Sequence, residues 1–267
     1  MNIERFRRII QFSSTNRADM EALVKKYYSF VGMNCDQDVL NIMQIVRPSF
    51  QRKGFLVMEM PFADKEIGAF SYKGDALGYL VLNSSLPKVN VNFALCHEVY
   101  HVLFQKREFR SKLEFASEQY YEQEEELSAN LFAGTLLMPE TGFRFMYQKF
   151  KNESNGLEED TLIRLMNYYQ APYMAVLIRC YELELSESSE ITEDLLNMDS
   201  GRIKDDFSRL WLDVSILDAT QRNDYPHLEA AVERFGWEYI QEGYTDSRTL
   251  ELVLRNIRML YSEIKGE

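Results

Sequence analysis

The pentapeptide His97-Glu98-Val99-Tyr100-His101 constrains this chain more than any other stretch. Residues four apart lie on one face of a helix, so the imidazoles of His97 and His101 can reach one metal ion. Neutral imidazole nitrogens bind zinc at about 2.0–2.1 Å. Glu98 follows the first histidine directly, where its carboxylate can reach a metal-bound water without displacing it. The pattern therefore predicts one zinc ion per chain on a helix, with Glu98 as the general base.

Composition makes a chance match to this pattern rare. The chain has three histidines, and two of them are in the motif. By composition alone, such a match is roughly a one-in-several-hundred event. The alternative is a pair of helix histidines that make ordinary structural hydrogen bonds.

A catalytic zinc site needs a third protein ligand, and the best candidate is Glu126. No histidine follows the motif closely, and His227 is too remote, so a carboxylate from a second helix is expected. The segment from Tyr120 to Pro139 has the apolar pattern of a buried helix and begins with several glutamates. Most of these acids are expected to be solvated at the helix start, whereas Glu126 lies next to the packed face.

Two further groups near Glu126 are candidates for supporting roles. Asn130 lies one helical turn after Glu126 and could orient a histidine ring or the carboxylate; the alternative is an ordinary asparagine inside a helix. Tyr120 or Tyr121 could stabilise an oxyanion through its phenol, although packing or surface roles are the simpler interpretation.

The two segments NFALCHEVYHVLF and EEELSANLFAGTLLMPE together resemble the ImmA/IrrE family of metallopeptidases. The resemblance covers roughly residues 15–186 and implies zinc held by His97, His101 and Glu126, with Glu98 as catalytic base. It also implies a protein substrate, because members of this family are associated with cleavage of helix-turn-helix repressors of phages, mobile elements or stress operons. Cys96 and the pair Val99-Tyr100 depart from the usual family pattern, and Cys96 is interpreted as a packed small residue.

The fold class predicted from these patterns is α+β, mainly helical with a small antiparallel sheet before the zinc helix. The stretch Leu77–Asn83 is the candidate edge strand for pairing with an extended substrate, because an unpaired strand edge offers main-chain donors and acceptors. The alternative is an interior strand with both edges filled. The candidate residues are Leu77, Gly78, Tyr79, Leu80, Val81, Leu82 and Asn83.

Net charge and cysteine content restrict the class of protein. The formal charge is −12 and the pI is about 4.9, so direct binding of nucleic acid is not expected. No stretch approaches 18 consecutive apolar residues, so no membrane span is expected, and no signal peptide is recognised. Three scattered cysteines favour a reducing, cytoplasmic location. The sequence does not indicate an oligomeric state.

The chain is predicted to divide near the polar stretch SESSE at 186–190. Residues 1–186 would form the zincin-like metallopeptidase domain, and residues 187–267 a helical C-terminal region without a recognisable motif. The resulting hypothesis is a cytoplasmic zinc-dependent endopeptidase acting on a protein such as a repressor or antitoxin-like regulator. The alternative is a catalytically inactive, zinc-stabilised interaction module; a direct transcription regulator is disfavoured by the charge.

Overall fold

A computed structural model describes residues 1–33, 42–73, 78–105, 124–156, 158–186 and 191–266. Its strands are β1 (Phe55–Met60), β2 (Ala69–Lys73) and β3 (Gly78–Asn83). Its helices are α1 (Ile3–Val31), α2 (Ile42–Arg52), α3 (Lys88–Leu103), α4 (Glu124–Leu137), α5 (Glu140–Glu153), α6 (Glu158–Tyr169), α7 (Tyr173–Glu182), α8 (Glu193–Leu196), α9 (Ser200–Arg209), α10 (Tyr225–Gln241) and α11 (Ser247–Lys265), with a short 3₁₀ helix at Val214–Leu217. The predicted α+β class is confirmed.

The sheet is mixed, whereas the sequence patterns suggested an antiparallel one. Its strand order is β1-β3-β2, with β1 parallel to β3 and β2 antiparallel to β3. The connection 61–68 therefore passes the end of β3 before β2 begins. Asn83 fixes this connection, because its amide nitrogen donates to the carbonyls of Asp64 and Ile67 at 2.9 and 2.8 Å. Its side-chain oxygen accepts from the Phe62 N–H at 3.2 Å.

This strand order corrects the prediction of a substrate-binding edge at Leu77–Asn83. β3 is the central strand, and β1 and β2 fill both of its edges along Gly78–Asn83. Leu77 lies outside the described residues. The apolar run Tyr79–Leu82 is covered on both faces of the sheet, which explains why every position in it is apolar. The edge strand that packs against α3 is β2.

The main core lies between α3 and one face of the sheet and extends through α1, α4, α6 and α7. Leu80 and Leu82 of β3 point into it, and so do Leu95 and Val99 of α3. α4 packs closely against α3 and α1 because Ala129 and Ala133, both fully buried, present almost no side-chain volume there. This close packing brings the start of α4 next to the histidines of α3.

The opposite face of the sheet is covered by the C-terminal helices. Met58, Met60 and Val81 pack against Tyr225 of α10, with Tyr261 and Ile264 of α11 beside them. Leu196, Phe207 and Ile216 join the main core. The boundary predicted at 186/187 stays a prediction, but residues on both sides of it share these two cores.

α10 and α11 form a hairpin that is anchored at the sheet end. The rings of Tyr225 and Tyr261 stack with centroids 3.8 Å apart, and the Ala63 N–H donates to the Ile264 carbonyl at 2.9 Å. Among the residues with a described position, no helix is both long and apolar enough to cross a lipid bilayer.

Candidate metal centre

The two histidines of the motif occupy one face of α3, as the spacing predicts. α3 begins after Pro87, and Leu95, Cys96 and Val99 are buried on its core side. The Nε2 atoms of His97 and His101 lie 2.9 Å apart. Cys96 is fully buried and packed, as expected, and its burial raises the pKa of its thiol.

Glu126 reaches this pair from the first turn of α4. Its Oε2 lies 3.3 Å from His97 Nε2, and its Oε1 lies 3.5 Å from His101 Nε2. The positive end of the helix dipole favours a carboxylate at this position. The structure therefore brings together the three predicted ligands, whose candidate ligand atoms all lie within 4.8 Å of one another.

The donor set fits a tetrahedral zinc ion. Ligand atoms about 2.0–2.1 Å from zinc stand about 3.3 Å apart across a tetrahedron. The separations between the His97, His101 and Glu126 atoms, 2.9, 3.3 and 3.5 Å, are close to that value. Three protein ligands would leave a fourth position for water or substrate, which is typical of catalytic rather than structural zinc sites.

Amide oxygens fix the ring orientation of both histidines. His97 Nδ1 lies 2.9 Å from Asn130 Oδ1, and His101 Nδ1 lies 3.0 Å from Gln105 Oε1. An amide oxygen only accepts, so each Nδ1 donates and each Nε2 presents its lone pair toward the ligand cluster. Two Nε2 lone pairs that face each other at 2.9 Å are stabilised by a positive charge between them, which a shared proton or a bound metal ion would supply.

The electrostatics of the centre point to the same requirement. Burial lowers the pKa of His97, but the hydrogen bond and charge of Glu126 outweigh it, so that pKa lies above its usual value. Burial raises the pKa of Glu126, but the hydrogen bond and charge of the protonated His97 ring more than reverse this, so the pKa of Glu126 lies below its usual value. The pair therefore stabilises a cation at this point, either a proton or a metal ion.

Glu98 stands beside the cluster without being one of its three ligands. It is buried, and its Oε2 accepts a hydrogen bond from Ser71 Oγ at 2.8 Å. Ser71 lies on the edge strand β2, which packs against α3. This hydrogen bond holds one oxygen of the Glu98 carboxylate in place.

Ser71 and Gln105 are the residues of the centre that the sequence patterns did not indicate. Gln105 is four residues after His101, so the same helical spacing that relates the two histidines could have indicated it. Ser71 is 27 residues before Glu98 and reaches it only through the packing of β2 on α3. Tyr120 and Tyr121 lie outside the described residues.

The chain was compared with protein families. Residues 50–181 match Peptidase_M78, the IrrE N-terminal-like domain. The matched segment runs from α2 to α7 and contains the three candidate ligands, Glu98 and Ser71. No curated protein and no solved structure matches the chain.

Proposed function

Because the chain belongs to the IrrE N-terminal-like peptidase family, we propose that it is a zinc-dependent endopeptidase acting on a protein substrate. Membership supports a metallopeptidase in general. The observation that carries the finer proposal is the cluster of His97, His101 and Glu126, with the carboxylate of Glu98 beside it.

Each protein group has a defined part in hydrolysis. The chemistry that zinc supplies when bound is polarisation of the scissile carbonyl and a lowered pKa for the attacking water. Glu98 accepts the proton of that water and then donates it to the leaving amine. Ser71 holds the Glu98 carboxylate in the orientation that this transfer needs, while Asn130 and Gln105 keep the histidine rings in place.

We assign substrate binding to β2 in place of the strand predicted from the sequence. The inner edge of β2 pairs with β3, and its outer edge pairs with no other strand among the described residues. An extended peptide could add to this outer edge through main-chain hydrogen bonds. Because Ser71 of the same strand contacts Glu98, such a peptide would lie close to the general base.

The proposed substrate is a helix-turn-helix repressor or an antitoxin-like regulator. Support for it comes from the resemblance of the motif segments to the ImmA/IrrE family and from the strongly acidic character of the chain. A charge of −12 favours a basic protein partner over nucleic acid.

Metal analysis of three purified chains tests the zinc site. Wild type is expected to carry about one zinc ion, Glu126→Ala to lose most of it, and Glu98→Gln to retain it. A wild type without zinc after reconstitution would contradict the proposal. Loss of zinc from Glu98→Gln would indicate that Glu98 is itself a zinc ligand, which would contradict its assignment.

Cleavage of a helix-turn-helix repressor encoded beside the gene then tests the reaction. Wild type is expected to cut it, whereas Glu98→Gln with full zinc content should lose at least about 100-fold in rate, since general acid–base groups contribute about 10²–10⁴-fold. Undiminished cleavage by Glu98→Gln would exclude this mechanism. Full zinc content without cleavage, and an intact biological effect in Glu98→Gln, would favour the inactive interaction module.

A further inference from the structure

The α10–α11 hairpin carries most of the large apolar side chains that the described part of the chain leaves exposed. Eight of these fifteen residues lie between positions 235 and 260. They are Phe235, Trp237, Tyr239, Tyr244, Leu252, Val253, Met259 and Leu260. Single exposed apolar residues are common, but such a concentration is typical of an interaction surface.

The inner face of α11 is already in use. Leu250 and Leu254 are buried, and Ile257, Tyr261 and Ile264 continue the same face in steps of three and four residues. α10 packs against this face at Gly236, where an added Cβ would collide with a methyl carbon of Leu250. The exposed residues of α11 therefore belong to a second face.

That second face, here called the outer stripe, consists of Leu252, Val253, Asn256, Met259 and Leu260, all exposed. Leu252 and Met259 are seven residues apart, and so are Val253 and Leu260. Seven-residue spacing returns a side chain to nearly the same side of a helix and is the repeat of coiled-coil seams. The outer stripe thus has the spacing of a helix-pairing surface.

The outer stripe is symmetric about Asn256. Leu252 and Leu260 each lie four residues from it, and Val253 and Met259 each lie three residues from it. Two copies of α11 that cross antiparallel at Asn256 would place Leu252 of each copy against Leu260 of the other. A surface that matches itself after a two-fold rotation is what an isologous dimer requires.

The charges at the ends of the outer stripe favour the same orientation. Arg248 and Glu263 are exposed and lie near its two ends. In the antiparallel arrangement Arg248 of each copy stands next to Glu263 of the other, whereas a parallel pair would bring like charges together. Exposed ion pairs add little affinity, but like-charge contacts select strongly against the wrong orientation.

We propose that the protein forms a two-fold dimer through the outer stripe, with two α11 helices antiparallel and crossing at Asn256. The contact is smaller than the roughly 20–30 residues per side of a standard interface. The dimer is therefore expected to be weak and concentration-dependent, with a micromolar dissociation constant. The hairpin and α3 pack on opposite faces of the sheet, so both metal centres stay accessible.

Sedimentation of the full chain between about 1 μM and about 100 μM tests the association. The wild type, of mass 31.5 kDa, is expected to shift from monomer to dimer over this range. Leu260→Glu should remain monomeric, whereas Leu56→Glu, which changes an exposed leucine of β1, should dimerise as wild type does. Circular dichroism checks that both variants are folded. A wild type that stays monomeric, or a Leu260→Glu that still dimerises, would overturn the proposal.

Charge reversal tests the orientation. Arg248→Glu alone should weaken the dimer at least several-fold, because the introduced carboxylate stands next to Glu263 of the other copy. The double variant Arg248→Glu, Glu263→Arg should restore it. Absence of rescue would exclude the antiparallel register.

Cysteine cross-linking tests the position of the two-fold axis. In a Cys35→Ser background, Asn256→Cys should form a disulfide-linked dimer on mild oxidation, because a residue on the axis meets its own copy. Cys96 and Cys180 are buried and would not compete. Glu251→Cys, exposed on another side of α11, is the matched control and should not cross-link. Equal cross-linking of both variants would count against the proposed interface.

Discussion

At the scale of single residues, two amide side chains determine the ring orientation and tautomer of His97 and His101. Asn130 Oδ1 and Gln105 Oε1 each accept a hydrogen bond from an Nδ1–H, at 2.9 and 3.0 Å. Without these acceptors the rings could rotate or change tautomer, and their Nε2 lone pairs would no longer converge. The two amides therefore orient the candidate ligands without being ligands themselves.

Removal of the Asn130 side chain is expected to weaken zinc binding by about 10–100-fold, the usual effect of losing a group that orients a ligand. The measurement is competition for zinc between Asn130→Ala and a fluorescent chelator. Asn92→Ala is the matched control, since Asn92 lies on α3 but donates to the Gln170 carbonyl instead of a ligand. Equal zinc affinity in the two variants would contradict the role assigned to Asn130.

Zinc affinity is expected to fall as the pH is lowered. The His97 pKa lies above its usual value because Glu126 outweighs the effect of burial, so a proton begins to compete with zinc above the ordinary imidazole pKa of about 6.5. The Glu126 pKa is lowered, so this carboxylate remains ionised until more acidic pH. Calorimetry of zinc binding in buffers of different ionisation enthalpy should show proton release near neutral pH. Absence of proton release near neutral pH would contradict the raised pKa of His97.

The candidate ligands could be predicted from the sequence because each relation is local or nearly so. His97 and His101 are one helical turn apart, and Glu126 and Asn130 repeat that spacing on the next described helix. Ser71 could not be predicted in this way. Its contact with Glu98 depends on which strand packs on α3, and no short-range pattern encodes strand order.

At the scale of elements, the position of β2 at the edge of the sheet has a consequence for catalysis. Ser71 points from this strand to Glu98, so the strand that would bind the substrate also orients the base. The uninterrupted apolar run of β3 indicates that both faces of this strand are covered, but it does not indicate whether other strands pair with its two edges.

Ser71→Ala is expected to lower kcat about tenfold or more, because a hydrogen bond to a charged acceptor contributes about 1.5–3 kcal/mol. KM and zinc content should stay close to wild type, since the hydroxyl contacts no ligand. Ser71→Thr keeps the hydroxyl on a residue suited to strands and should recover most of the rate. The measurement is steady-state cleavage of the repressor substrate. Failure of the threonine variant to recover activity would point to a structural role instead.

At the scale of the whole molecule, the sheet is enclosed from both sides by segments that are far apart in the sequence. α3 covers one face, and α10 and α11 cover the other. The boundary near residue 186 was predicted from a change to polar composition. Such a change indicates a loop, but it does not show whether the segments on its two sides pack against each other. Burial of Tyr225 against Met58 and Met60 involves residues more than 160 positions apart, which the sequence pattern could not reveal.

A chain shortened to residues 1–186 is therefore expected to fold poorly. It would expose Met58, Met60 and Val81 and remove Phe207 from the main core. Exposed apolar surface of this kind binds hydrophobic dyes and promotes aggregation. Dye fluorescence and thermal unfolding of the shortened and full chains provide the measurement. Cooperative unfolding of the shortened chain at the full-chain temperature would show instead that residues 187–267 form an independent domain.

The covered sheet also sets an order of events during synthesis. Ribosomes add about 5–20 residues per second, so Tyr225 leaves the ribosome on the order of ten seconds after Val81. Until then Met58, Met60 and Val81 have no cover, although both histidines and Glu126 have already been made. The nascent chain would thus expose one apolar face of its sheet during this interval. The peptidase would acquire its final stability only after the hairpin has been translated.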